Sequence, residues 1–172
     1  MNNRKAISNA VHREIYKALG VPEHIWWRKL LDPLLSIPLN RFIDVSAGTD
    51  QQIDANGIVA GSKWALPIFV EQAAFSNQVQ LPADGPLLVI SNHPGVSDTI
   101  CLSAGIGRDD LRIIVYATPF YRLLPAVSRH FFYTSEDRFE AMTSVRQSIR
   151  HLQGGGALLL YGTGRIEPDP SI

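Results

Sequence analysis

An α/β fold is predicted: an N-terminal helical segment, then a mixed β-sheet covered by helices. Three observations predict it. Four short apolar runs, GPLLVIS, LRIIVYA, HFFY and GALLLYG, are each bounded by turn residues, as buried strands are. Helical periodicity lies between some of these runs, and strands alternating with helices indicate a layered sheet. The first 75 or so residues carry helical patterns only.

The elements follow in order. Residues 5–19 place Ile7, Val11, Ile15 and Leu19 every four positions, an amphipathic helix stopped by Gly20 and Pro22. A second helix is expected from Pro22, with Glu23 in its first turn, ended or kinked at Pro33. Asp44 to Asn56 is polar and reads as loop. A third helix is expected over residues 57–75. Strands are then expected at the four apolar runs, with helices over Thr99–Ala104 and Arg138–Leu152. The second of these lines up Phe139, Met142, Val145, Ile149 and Leu152 on one face. Residues 1–76 are therefore a helical segment and 77–172 the α/β core, in one compact unit.

Composition narrows the function. A chain of 172 residues with 45% apolar residues can bury a real core, which excludes disorder. Sixteen basic residues balance sixteen acidic ones, so nothing favours a nucleic-acid partner. The single cysteine, Cys101, excludes an internal disulfide framework and suits a reducing cytosol. The first residues show no secretory signal, and no run reaches the roughly 18 apolar residues that cross a bilayer. Lying on a membrane surface needs no such run. Trp26 and Trp27, with Arg28, Lys29 and Arg41 near them, suit either helix packing or a membrane interface.

The chemistry concentrates in SNHPGVSD, residues 91–98, directly after the first apolar run. His93 and Asp98 are five apart, a spacing that neither a helix nor a strand brings together. A turn does. Pro94 holds His93 extended, Pro-Gly supplies a turn, and Ser97 is expected to cap a helix that starts with Asp98. The carboxylate then accepts from one imidazole nitrogen and the other serves as a general base toward an alcohol.

Asn92-His93-Pro94-Gly95-Val96-Ser97-Asp98 resembles the N-H-x4-D signature of the glycerolipid acyltransferases, the family of lysophosphatidate and glycerol-3-phosphate acyltransferases. GGGALLLYGTGRIEPDP resembles the family's later strand-and-glycine-loop block, with Gly164 at the family glycine and Glu167-Pro168 as an acidic-proline ending. Leu124-Pro125 and Arg129 to Tyr133 resemble the middle block. The resemblance spans roughly residues 78–170. It implies the family's α/β fold and transfer of a fatty acyl group to a lysophospholipid or glycerol-phosphate hydroxyl. His93 is then the base and Asp98 its partner. Asn92, Arg129, Arg138, Thr163, Gly164, Arg165 and Glu167 are implied to bind substrate, with backbone N–H groups at Thr163-Gly164 facing the oxyanion and Arg165 a phosphate.

No metal and no resident cofactor is implied; acyl-CoA or acyl-carrier protein enters as co-substrate. A lipid acceptor and a membrane surface are the implied partners, at the cytoplasmic inner face. The sequence departs from the pattern at Ser135, where an arginine is usual, at Gly162 for proline and at Thr163 for glutamate. The family's last apolar Val-Pro block has no counterpart, so the core is expected to be incomplete. Three rival readings stand beside this one: a lipid-binding module without catalysis, a hydrolase using Ser97, and a nucleotide loop at Gly162-Thr163-Gly164. The last two lack the final glycine their motifs require.

Overall fold

The computed structural model describes residues 2–18, 20–21, 28–73, 80–93, 95 and 97–162. Two helices open the chain, α1 (Asn2–Ala18) and α2 (Arg28–Phe69). There follow β1 (Leu87–Ser91), α3 (Asp98–Ile106), β2 (Arg112–Tyr116), α4 (Pro119–Arg122), α5 (Pro125–Ser128), β3 (Phe131–Thr134), α6 (Arg138–Gln153) and β4 (Ala157–Tyr161). The strands form one sheet in the order β1-β4-β2-β3. The protein is thus α/β, as its sequence predicts.

Among the described residues the sheet is not mixed. Every pairing is parallel. The reason is connectivity: each strand is followed by helix before the next, so the chain returns to the same edge each time. All four strands therefore begin at one edge of the sheet and end at the other, which bears on every site residue below.

The first half of the chain departs further from expectation. Pro33 does not end the second helix, and Asp44–Asn56 is not loop; α2 runs through both. A proline removes one backbone donor at a cost of about 3 kcal/mol. Packing of Leu39 and Ile43 on Ile7 and Val11 of α1 offsets that cost. The polar residues of 44–56 include side chains with helical partners. Ser46 Oγ donates to the Phe42 carbonyl and Thr49 Oγ1 to that of Val45. Asp50 reaches across to accept from the Ala126 and Val127 N–H groups, at 2.8 and 2.9 Å, capping α5.

The one true break in α2 is Gly57, at φ +86°, a conformation that costs an L side chain. Asp109 occupies the space a Cβ would take there and accepts from the Val59 N–H at 3.0 Å. The break lets Ile53 and Ile58 share one core with Leu111, Ile113, Ala157 and Leu159 of the sheet region. Helix α2 and the sheet are thus built around the same core.

The opposite sheet face is covered differently. Helix α6 lies on β3 and β4, burying Ser144 and Ser148. Small side chains let a helix sit close to a sheet. Its apolar stripe, which sequence periodicity would turn inward, is exposed: Phe139 is 77% accessible, and Met142, Val145 and Ile149 are about half so. On the same side of the sheet, Leu88 and Ile90 of the edge strand β1 are open as well.

Candidate active site

Strand β1 delivers Ser91 to the carboxyl-terminal edge of the sheet, where its carbonyl accepts from the Gly162 N–H at 3.1 Å. His93 lies two residues further on. Helix α3 begins at Asp98 after a short turn, closed by a 3.4 Å bond from the Asp98 N–H to the Gly95 carbonyl. Within that turn the two side chains meet: His93 Nδ1 is 2.9 Å from Asp98 Oδ2. The same oxygen accepts from the Gly95 N–H at 2.8 Å, so one carboxylate closes the turn and holds the ring.

That bond sets the tautomer. A carboxylate only accepts, so Nδ1 carries the hydrogen and Nε2 presents its lone pair in the neutral ring. Among the described residues Nε2 has no hydrogen-bond partner. The His93 and Asp98 side chains are 20% and 23% exposed, sheltered and still reachable. Ser97 stands at the N-cap position of α3, but its side chain makes no capping bond. Its backbone is already in the helical region (φ −89°, ψ −6°), where the N-cap contact is not formed.

Two further residues belong to the site that sequence reasoning does not single out. Tyr161, the last residue of β4, lies under His93 with ring centroids 4.2 Å apart and planes 21° from parallel. Its hydroxyl is 2.8 Å from Thr99 Oγ1 in the first turn of α3. Burial, more than the nearby Asp98, pushes the Tyr161 phenol up to about 12, while the Thr99 contact works the other way. It stays protonated and is no base. Cys101, one turn into α3, is likewise held as a thiol by burial and then by Asp98. The signal for Tyr161 is its place beside the glycine loop, but only the β1–β4 register, Ser91 opposite Tyr161, puts it beneath the histidine.

The other expected residues are placed as follows. Asn92 sits exposed at the same rim, its carbonyl accepting from Ser91 Oγ at 2.8 Å. Arg138 opens α6 at the same edge, but β3 is three strands from β1, roughly 14 Å at about 4.8 Å per strand. Arg129 is not brought to the site. It precedes β3, hence lies at the opposite edge, and its guanidinium pairs with Asp54. Thr163, Gly164, Arg165 and Glu167 lie outside the described residues, as do Trp26 and Trp27. Arg41 is exposed on α2.

Beyond Ser97 and Thr99, and lined by neither His93 nor Asp98, a cavity of about 410 Å³ opens between α2, α3 and the sheet. Ser97 and Thr99 line it near the site; Ile53, Ile100, Ile113 and Val115 line it further in. The hydroxyls of Ser46 and Thr49 on its wall are turned to backbone carbonyls, while Ser62 and Ser103 add hydroxyls to a mostly apolar lining, Ser103 Oγ having no partner among the described residues. Comparison with protein-family models, curated proteins and solved structures returns no match. Among the described residues no helix is long and apolar enough to cross a membrane.

Proposed function

We propose that the protein is an acyltransferase moving a fatty acyl group from an acyl thioester, on coenzyme A or acyl-carrier protein, to a hydroxyl of a lysophospholipid or glycerol-phosphate acceptor. One observation carries the reading: an imidazole anchored at Nδ1 by a carboxylate, with Nε2 unpartnered among the described residues, at the strand-end rim where α/β sheets place their sites. The resemblance of Asn92–Asp98 to the glycerolipid acyltransferase signature supports the substrate class.

The chemistry follows from the atoms. Nε2 of His93 takes the acceptor's hydroxyl proton as the alcohol oxygen attacks the thioester carbonyl carbon. A carbon–oxygen bond forms, and the carbonyl oxygen becomes an oxyanion. Collapse breaks the carbon–sulfur bond, and the thiolate recovers the proton from the imidazolium. Asp98, bonded to Nδ1, stabilises that imidazolium. The mostly apolar cavity beyond Thr99 suits the acyl chain, each buried methylene contributing about 0.8 kcal/mol. Backbone N–H groups at Thr163 and Gly164 remain the proposed oxyanion donors, with Arg165 and Glu167 beside the acceptor. Asn92 and Arg138 share the rim with His93 and stay in the proposal; Arg129, at the other edge, does not. A peripheral place on the cytoplasmic membrane face goes with a lipid acceptor.

The test is His93→Ala, followed by thioester consumption from a long-chain acyl-CoA with lysophosphatidate. Turnover is expected to fall by about 10²–10⁴-fold. Turnover unchanged from the native chain overturns the proposal. The cavity alone would also serve a lipid-binding module without catalysis. Binding to lysophosphatidate-containing vesicles, with no acyl transfer by the native chain, is the outcome that selects that second reading.

A further inference from the structure

The hydrogen bond from His93 to Asp98 holds one edge of the imidazole but leaves the ring free to swing about the bond's own axis. Something else has to fix the plane. The stack on Tyr161, at 4.2 Å and 21°, supplies that second restraint. Tyr161 is itself nearly immobile: it is buried in the main core, and its hydroxyl is bonded to Thr99 at 2.8 Å. Thr99 follows Asp98 directly in the first turn of α3. One helical turn therefore holds the histidine twice, through Asp98 at its edge and through Thr99 and Tyr161 at its face.

We infer that Tyr161 is a positioning residue, a flat platform that fixes the plane of His93 so that Nε2 keeps a single direction toward the acceptor. This rests on the proposed role of His93 as base. The competing role is plain core packing, and the two differ in what they require of the side chain. A platform needs a flat ring; core packing needs only apolar volume.

Tyr161→Phe keeps the ring and gives up the Thr99 bond, and Tyr161→Leu keeps apolar volume and gives up the ring. Steady-state acyl transfer with long-chain acyl-CoA and lysophosphatidate should show kcat for the Phe variant within about threefold of the native chain. For the Leu variant kcat should fall about 10- to 100-fold with KM little changed, the loss expected from misdirecting a catalytic group. Carbon-13 relaxation of the His93 ring reads the same question without activity, since a swing about the Asp98 bond leaves the tautomer unchanged and shows as ring motion. A rigid ring is expected in the native chain and the Phe variant, and a mobile one in the Leu variant. A Leu variant with native kcat, or with a His93 ring as rigid as in the native chain, overturns the inference. Should the native chain transfer no acyl group, the acyltransferase reading fails by itself and the relaxation measurement still decides whether Tyr161 holds the ring. A Leu variant too unstable to measure is replaced by Tyr161→Met, to which the same two outcomes apply.

Discussion

The two edges of the sheet are built to opposite ends. Where the strands begin, the strong polar groups are tied down. Arg108 is buried there, with Nε and Nη2 donating to Asp110 (2.9 and 2.5 Å), Nη1 to the Gly85 carbonyl at 2.7 Å and Nη2 also to the Gly155 carbonyl at 2.8 Å. One guanidinium thus links the entrance to β1, the entrance to β2 and the turn before β4. His130 Nδ1–H donates to the Leu111 carbonyl at 2.9 Å, joining the entrances to β2 and β3. Where the strands end, His93 is held by one nitrogen and, among the described residues, has no partner at the other, with a mostly apolar cavity beyond Thr99. Saturated polar groups hold a fold and do no chemistry. An orienting bond that leaves one nitrogen without a partner among the described residues suits the base proposed above.

The largest effect expected from this contrast is Arg108→Ala. It strips donors from two carbonyls and leaves Asp110 without its partner. A loss of about 3 kcal/mol in unfolding free energy is expected, read by urea titration. Asp98→Asn should do the reverse. The amide keeps the shape but no longer supports an imidazolium, so acyl transfer should drop about 10²-fold while the urea midpoint moves little. Equal stability losses from both variants would erase the distinction between the edges.

Gly57→Ala comes next. At φ +86°, with a Cβ 2.4 Å from Asp109 Oδ1, even a methyl group forces Asp109 away from its bond to Val59. About 1–3 kcal/mol should be lost, seen as a lower thermal midpoint. Gly95→Ala, in the site's own turn, meets its nearest described neighbour only at 3.4 Å and has no positive φ, so the same measurement should barely move. A glycine that holds the fold and one that lines the site are thus separable by stability alone.

How much of this is legible in the sequence follows the same division. The strands are, because an apolar run between turn residues has few other uses: GALLLYG is β4 at Ala157–Tyr161. The His93–Asp98 turn is legible too, because Pro-Gly between them leaves the chain few ways to run. Helix α2 is not, since the polarity of Asp44–Asn56 reads as loop when in fact Asp50 faces α5 and Ser46 and Thr49 bond their own helix. The α6 stripe misleads in the other sense. Periodicity locates an apolar face, but the contact with the sheet goes to Ser144 and Ser148, which are small enough to approach it. Arg129 is misplaced for want of strand direction: a residue just before a strand and one just after it lie at opposite ends of a parallel sheet. Tyr161 stays invisible until register is known, since β4 is the last of the described strands in sequence and yet the immediate neighbour of β1, the first of them.

The smallest expected effect separates the edges by pH. His130 is half-buried, and burial, more than the nearby arginines, pulls its pKa below the usual histidine value; the bond to Leu111 opposes the shift. A histidine with a lowered folded pKa binds its proton more readily once unfolded. Stability is then complete above the ordinary value near 6.5 and declines as pH falls from there toward the folded value. Asp110 adds nothing in that window. Its carboxyl is held low chiefly by the hydrogen bond from Arg108, so its share is lost only as pH falls below about 4. Urea titrations at about pH 7.5 and 5.5 should therefore show a modest loss in the native chain that His130→Gln removes and Asp110→Asn does not. If His130→Gln kept the full acid loss, the slope would have to come from another histidine, and the strand-entry edge would no longer be the part of the molecule that feels mild acid.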